Sequence, residues 1–561
     1  RDVAYDSLLS SQRVAYHLQI AEYLEKRFNT ETLTQYRALY YSALAYHYRQ
    51  AGKLERELFY VLQMAQQALE VYANAEAIEH YNHALNLLDM LEEHASESQR
   101  YTLLTQRFEV LNGRRKVYQL TGNFDAARHD AEALLPLARQ LSDDPVWLID
   151  ALLQQTGIAN FQNQEEIRER IPMAEEALKL SRQLGDQRRE MQSLIAIVNQ
   201  RLALGDPSWQ EPGERALELA QQLGDEHYEA RLLIGMGRIY AMSDQSERGI
   251  EYLQAAAALS ITQAPDDKLT QISLLDLLGL QHERSGDYYR LLTEYQQERL
   301  YMSREIGHRP LESDALLDCG IIQGIYLGDH ETGLVMLEAS RNIIKGTPSE
   351  AQRLLYIAFI EAERGNLDVA KGHLAATQQF ESKISLDVKQ NLIQLHLNNL
   401  RGIPDELEEA AELVERVCQM SDNPLLSRQY AMAAACKATD ARLQLAQVAA
   451  TDEARRRHVQ AALENSALAL KFYESFGFVQ VPECTSEEIL FRRYGALLAA
   501  GQPEEAEHYL DLAYDEMMRK HALIPSDTPF YLTYLENIPL HRQILTTYAA
   551  MVGIDFSENN S

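Results

Sequence analysis

The feature that most constrains this chain is a phrase it repeats. Arg139-Gln-Leu-Ser-Asp143, Arg182-Gln-Leu-Gly-Asp186, Gln221-Gln-Leu-Gly-Asp225 and Arg304-Glu-Ile-Gly-His308 are versions of one string. Their apolar residues Leu141, Leu184, Leu223 and Ile306 stand 43, 39 and 83 positions apart, the last interval being about two periods. Each phrase reads as a helix stop. A Gly takes up the left-handed C-terminal turn, and an Asp follows that caps the next helix. Strict apolar alternation of the kind a strand needs is nearly absent, whereas Ser193–Leu204, Arg231–Ala241 and Ile272–Leu280 carry apolar residues on a broad helical face.

A second signal lies between the stops. A Gly or small polar residue is followed five positions later by Ala or Gly, and sometimes twelve later by another small residue: Gly122 and Ala127; Asp244, Gly249 and Ala256; Gly328 and Gly333; Gly365 and Ala370; Gly501, Ala506 and Ala513. Small side chains at this spacing let two antiparallel helices approach closely at a tight turn. Upstream, an aromatic often stands four before the turn, as in Ala45, Tyr48, Gly52 and in Gly237, Tyr240, Asp244.

These residues resemble the tetratricopeptide repeat over most of the chain, from about Tyr36 to about His521. The period is longer than that family's, and its Trp and Pro positions are mostly missing. HEAT-type repeats have a similar period but do not predict small residues at the turn. The expected fold is all-α, a right-handed superhelix of antiparallel helix pairs with a period of about 40 residues. The expected organisation is a helical linker over 1–35, a regular array over 36–380, less regular helices over 381–464, further hairpins over 465–522, and a capping helix and polar tail over 523–561.

Three phrases narrow the resemblance. Asp2-Val-Ala-Tyr-Asp-Ser-Leu-Leu9, Tyr72-Ala-Asn-Ala-Glu-Ala-Ile-Glu-His-Tyr81 and Leu535-Glu-Asn-Ile-Pro-Leu-His-Arg-Gln-Ile-Leu545 are similar to segments of STAND-type or AAA-type signalling ATPases, those attached to transcription activators and class III nucleotide cyclases. The resemblance implies a sensor region that binds a protein or peptide ligand and regulates an upstream ATPase module of the same polypeptide. The chain itself carries no Gly-x-x-x-x-Gly-Lys-Ser/Thr loop, His-Glu-x-x-His or Gly-x-Ser-x-Gly. The expectation is therefore a non-enzymatic region without a cofactor. A stand-alone scaffold or peptide receptor is the alternative, and an enzyme with a site hidden in the groove comes third.

Charge and cysteine content bear on partners. With 53 basic against 83 acidic side chains the formal charge is −30, and on that ground no nucleic acid partner is expected. Four cysteines without a Cys-x-x-Cys pair suit a reducing cytoplasm. No segment approaches the roughly 20 apolar residues of a membrane span, so no membrane partner is expected.

Candidate site residues follow from the helix spacing. Counting back from each turn, the concave face includes Asn112, Lys116, Gln192, Asn199, Arg231, Arg238, Asp276 and Asp318. Tyr36, Tyr40 and Tyr48 form an aromatic stripe that either packs between the first helices or docks the ATPase module. Glu76, His80 and His83 share one helix face at a spacing that suits zinc, but the helix-B alanines Ala77 and Ala84 turn both histidines outward, so no metal is expected. The basic clusters Arg114-Arg-Lys116, Arg188-Arg189, Arg455-Arg-Arg457 and Arg492-Arg493 read as helix-surface charge.

Overall fold

The computed structural model describes residues 8–30, 37–141, 143–157, 164–204, 206–241, 246–263, 268–380, 384–409, 411–412, 429–475 and 481–553. Tyr36, Asp244, Cys418, Asp422-Asn-Pro424 and both chain ends lie outside them. The described residues form helices throughout, with one isolated bridge between Val481 and Cys484. The fold is the expected all-α solenoid of antiparallel helix pairs.

The repeated phrase acts as read. At Gly224 the backbone turns left-handed (φ +62°), Asp225 N–H reaches back to the Ala220 carbonyl at 3.0 Å, and Asp225 Oδ1 accepts from Tyr228 N at 3.3 Å. One residue type ends a helix and the next starts another. The small residues after the turns are interior: Ala127, Ala256, Ala370, Ala506 and Ala513 are all buried. At Gly333 a Cβ would stand 2.6 Å from the Gly324 Cα, so this hairpin packs backbone on backbone.

Two compact units divide the chain. The first comprises Arg1–Phe161, Glu165–Ile197 and Glu305–Arg309. Its opening helix, Ser10–Thr30, contributes Ala21 to the same core as Leu44, Leu58, Ala77 and Leu88. Glu25 of that helix accepts from Tyr48 OH and Arg56 Nη2, each at 2.6 Å, and from Tyr60 OH. Burial raises the Glu25 pKa, but these donors outweigh it and hold the carboxyl below its usual range.

The second unit comprises Gln162–Gln164, Val198–Arg304 and Pro310–Ser561, and it closes on itself. Its last helices, Pro503–His521, Phe530–Glu536 and Pro539–Val552, return to the hairpins around residues 285–328. Met517, Tyr534, Ile538 and Ile544 share one core with Tyr288, Leu316, Tyr326 and Leu337. Thr533 Oγ1 donates to the Leu327 carbonyl at 2.7 Å and Asn537 Nδ2 to the Gly328 carbonyl at 2.9 Å. At the other side of the seam Arg519 Nη1 reaches the Ser285 carbonyl at 2.9 Å. Buried apolar area drives the closure, and these capped carbonyls at helix ends fix its register.

Candidate functional site

The second unit holds two cavities. A cavity of about 410 Å³ is bounded by the helices Ser246–Gln263, Lys268–Ser285, Glu350–Glu363 and Ile384–Arg401 and by Val481 and Pro482. A volume of several hundred Å³ with mixed lining is what ligand sites have. Two π-helical turns, Leu291–Gln296 and Ile322–Tyr326, contribute to its wall, and the ring of Tyr288, just before the first, stacks on that of Tyr326 at 4.2 Å. Such turns widen a helix locally and re-aim its side chains.

The lining is of three kinds. Leucines and isoleucines, among them Leu253, Leu277, Leu291 and Ile322, supply an apolar surface. Gln254, Gln281, Gln296, Gln352 and Gln429 supply amides, each with a carbonyl acceptor and two N–H donors. Charged groups sit in two places. In the first, Arg299 lies behind the wall, 5% exposed, and its Nη1 donates to Asp276 Oδ1 at 2.8 Å and Asp318 Oδ2 at 2.5 Å. Burial raises the Asp318 pKa and Arg299 opposes the rise. Asp276 and Asp314 add to it, and the carboxyl titrates above its usual range. The side chain keeps 34% of its surface and lines the cavity.

In the second place stand Arg284 and Lys389. Lys389 Nζ donates to Tyr356 OH at 2.8 Å, and Tyr356 OH donates to Glu483 Oε1 at 3.1 Å. Burial works against the ammonium, but Tyr356, Tyr430 and Glu483 together keep it protonated. Arg284 differs: among the described residues its half-buried guanidinium makes no hydrogen bond or ion pair, and burial alone lowers its pKa. Burying a charge without a partner is costly, so this group is suited to an incoming anion.

Beside this cavity lies a smaller one of about 80 Å³, lined by Lys437, Glu487, Glu488, Arg492 and His541. Glu487 accepts from Lys520 Nζ at 2.5 Å and lies 3.1 Å from His541 Nε2, while His541 Nδ1 donates to the Tyr534 carbonyl at 2.6 Å. Burial raises the Glu487 pKa, yet Lys520 and His541 overcome it and hold the carboxyl far below its usual range.

Of the residues selected on the sequence, the structure brings Asp276 and Asp318 together at the larger cavity. Asn199 and Arg231 belong to the same unit and are exposed, Arg231 with its Cζ 5.7 Å from the centre of the Tyr228 ring. Arg238 lies in the helix Glu226–Ala241, but its side chain is outside the described residues. Asn112, Lys116 and Gln192 belong to the first unit, where Asn112 Oδ1 accepts from Arg115. Tyr48 is interior, 2% exposed, its ring stacked on Tyr60 at 5.8 Å, and Tyr40 packs on Phe28. For these two the stripe is core packing, because the phenol tip of Tyr48 is consumed by Glu25. His83 Nε2 meets Glu57 Oε1 at 2.7 Å, and Glu76 is exposed, so the Glu76/His80/His83 face does not converge. Two of the clusters read as surface charge are partly internal: Arg115 is 4% exposed, and Arg492 pairs with Asp440 at 3.0 Å. Arg284, Lys389, Glu487 and Lys520 were not selected, since a charged residue on a helix reads as solvated unless its neighbours from distant helices are known.

No family model matches the chain, and no curated protein matches it. Solved structures do. The APC/C hetero-tetramer Cut9-Hcn1 contains a similar chain, 13% identical, covering 97% of this chain and 98% of that one, with a TM-score of 0.42. The human IFIT1 dimer with PPP-AAAA is 12% identical over 88% of this chain and 93% of that one, TM-score 0.35. The same dimer with m7Gppp-AAAA is 13% identical over 89% and 94%, TM-score 0.33. These are helical-repeat proteins, and the fold here is likewise an all-α helical solenoid. They overturn the exclusion of nucleic acid drawn from the net charge, since IFIT1 is seen with PPP-AAAA and m7Gppp-AAAA. A total of −30 is a sum over the whole chain and does not describe the charge of any one surface.

Proposed function

We propose that the chain is an interaction module that takes an acidic, leucine-rich peptide segment into the larger cavity of the second unit. The observation that carries this reading is Arg284, a half-buried guanidinium without a partner among the described residues, facing the same cavity as Lys389. An acidic side chain of the ligand supplies the missing counter-charge as a charge-assisted hydrogen bond. The five glutamines match the donors and acceptors of a peptide backbone, and the leucine wall buries apolar side chains.

Fluorescence anisotropy with a labelled octapeptide of alternating Glu and Leu tests the reading, with a labelled oligoadenylate as the second arm. Saturable peptide binding that falls at least tenfold in Arg284→Glu is expected. Binding of the oligoadenylate alone, or of neither probe, contradicts it. Coupling of the ligand to an ATPase module is a further reading that rests on the phrases at Asp2–Leu9, Tyr72–Tyr81 and Leu535–Leu545; a change in ATP hydrolysis by the full reading frame on adding the same peptide tests it.

A further inference from the structure

We propose that Cys436, Cys484 and Glu488 bind a thiophilic divalent cation, zinc by preference. Both Sγ atoms and a Glu488 carboxylate oxygen lie within 4.8 Å of one another, and all three residues are buried. The donors come from two elements. Cys436 lies within the helix Gln429–Val448, whereas Cys484 precedes the helix Ser486–Ala499, whose first turn carries Glu488. Zinc stands about 2.3 Å from sulfur and about 2.0–2.2 Å from a carboxylate oxygen, which requires tetrahedral donors roughly 3.5–4 Å apart. The observed convergence permits that separation. Two sulfurs among three donors select zinc over magnesium or calcium, which take oxygen.

The charges around the donors suit a dication exchange. Lys437 Nζ donates to both Glu488 oxygens at 2.7 and 2.8 Å, and Arg492 Nη1 meets Asp440 at 3.0 Å. With both thiols protonated, these two cations and two carboxylates sum to zero. Binding one Zn²⁺ forms two zinc–sulfur bonds and one zinc–oxygen bond and releases two protons to solvent, so the buried cluster remains neutral. Each Glu488 oxygen has a second lone pair beyond the one used by Lys437. Lys437 and Arg492 then become the outer groups that hold the ligands in place. A second observation points to the fourth coordination position. Thr485 Oγ1, adjacent to Cys484, is buried without a hydrogen-bond partner, and the small cavity lined by Thr485, Lys437 and Glu488 has room for a metal-bound water.

The test uses the full chain, purified with zinc and desalted. Elemental analysis is expected to return one zinc per chain, and replacement with cobalt(II) to give thiolate-to-metal charge-transfer absorption. Cys436→Ser and Cys484→Ser each lose both signals, while Cys319→Ser, a buried cysteine outside the cluster, keeps them. Glu488→Gln keeps the charge-transfer band and binds at least tenfold more weakly. Release of two protons per zinc by the apo wild type gives a readout independent of whether the variants fold. Wild-type protein with neither stoichiometric metal nor charge-transfer absorption overturns the proposal, whether thiol titration after unfolding returns all four cysteines as free thiols or two fewer, as a Cys436–Cys484 disulfide requires.

Discussion

Lys520 and Glu487, 33 residues apart in sequence, form an ion pair with both side chains almost wholly excluded from solvent, Nζ to Oε2 at 2.5 Å. Ser486 Oγ receives a second Lys520 proton at 2.8 Å, and His541 approaches the other Glu487 oxygen at 3.1 Å. The group ties the helix Ser486–Ala499 to the two closing helices Pro503–His521 and Pro539–Val552. Removing one partner strands the other, which costs about 3–5 kcal/mol, whereas removing both relieves most of that cost. Lys520→Met is therefore expected to lower the urea midpoint of the second unit strongly, and Lys520→Met/Glu487→Met to recover most of the loss.

Gly328 meets the closing segment backbone to backbone. Its φ is +74°, and a Cβ would stand 2.3 Å from the Thr533 carbonyl oxygen. Gly365 has a similar φ of +85° with nothing within 4 Å. Gly365→Ala is expected to cost about 1–2 kcal/mol, the left-handed penalty alone. Gly328→Ala adds the clash and is expected to cost at least twice as much in thermal denaturation, because the contact lies on the seam.

Acid acts on the second unit in two windows. Burial lowers the His330 pKa despite Glu363 and Asp329 nearby, with Arg364 and Arg542 reinforcing the drop. A histidine depressed in the fold takes up its proton more readily when unfolded, so stability falls as pH drops below about 6.5. His330→Asn is expected to flatten the stability profile between pH 7.5 and 5.5. Glu487 is held far below its usual range, so its contribution persists above the unfolded value of about 4.3 and fades as pH falls further. Urea midpoints against pH separate the two.

Arg115 in the first unit is 4% exposed and bonds only amide oxygens, Asn112 Oδ1 at 3.0 Å and Gln119 Oε1 at 2.7 Å. Burial pushes its pKa down to about 10, with Asp130 opposing. A buried cation with no carboxylate bonded to it contributes little, and an apolar side chain of similar length often does better. Arg115→Met is expected to leave the thermal midpoint of the first unit unchanged or raise it, whereas Arg114→Met, which loses the bidentate pair with Asp130 at 2.6 and 2.9 Å, is expected to lower it.

The repeat grammar was legible in the sequence because it is local. Leu223-Gly-Asp225 contains its own helix stop and next cap, and Gly328 with Gly333 encodes a close hairpin within six residues. Closure of the second unit was not, since Thr533 and Asn537 reach carbonyls more than 200 residues upstream. The site was legible only in part. Asp276 and Asp318 were placed by counting from turns, but Arg284 and Lys389 become noteworthy only once the helices around the cavity assign their neighbours. Glu487, Lys520 and Glu488 look like solvated helix charges until the closing helices cover them.

The most direct test of the central claim asks where a ligand sits. The Glu/Leu octapeptide with one leucine replaced by a diazirine-bearing analogue is photolysed with the full chain, and adducts are mapped by mass spectrometry. Adducts on Lys268–Ser285, Glu350–Glu363 and Ile384–Arg401, lost in Arg284→Glu and retained when the exposed Arg290 is changed to Glu, are the predicted result. Adducts confined to other helices, or adducts indifferent to Arg284→Glu, contradict it.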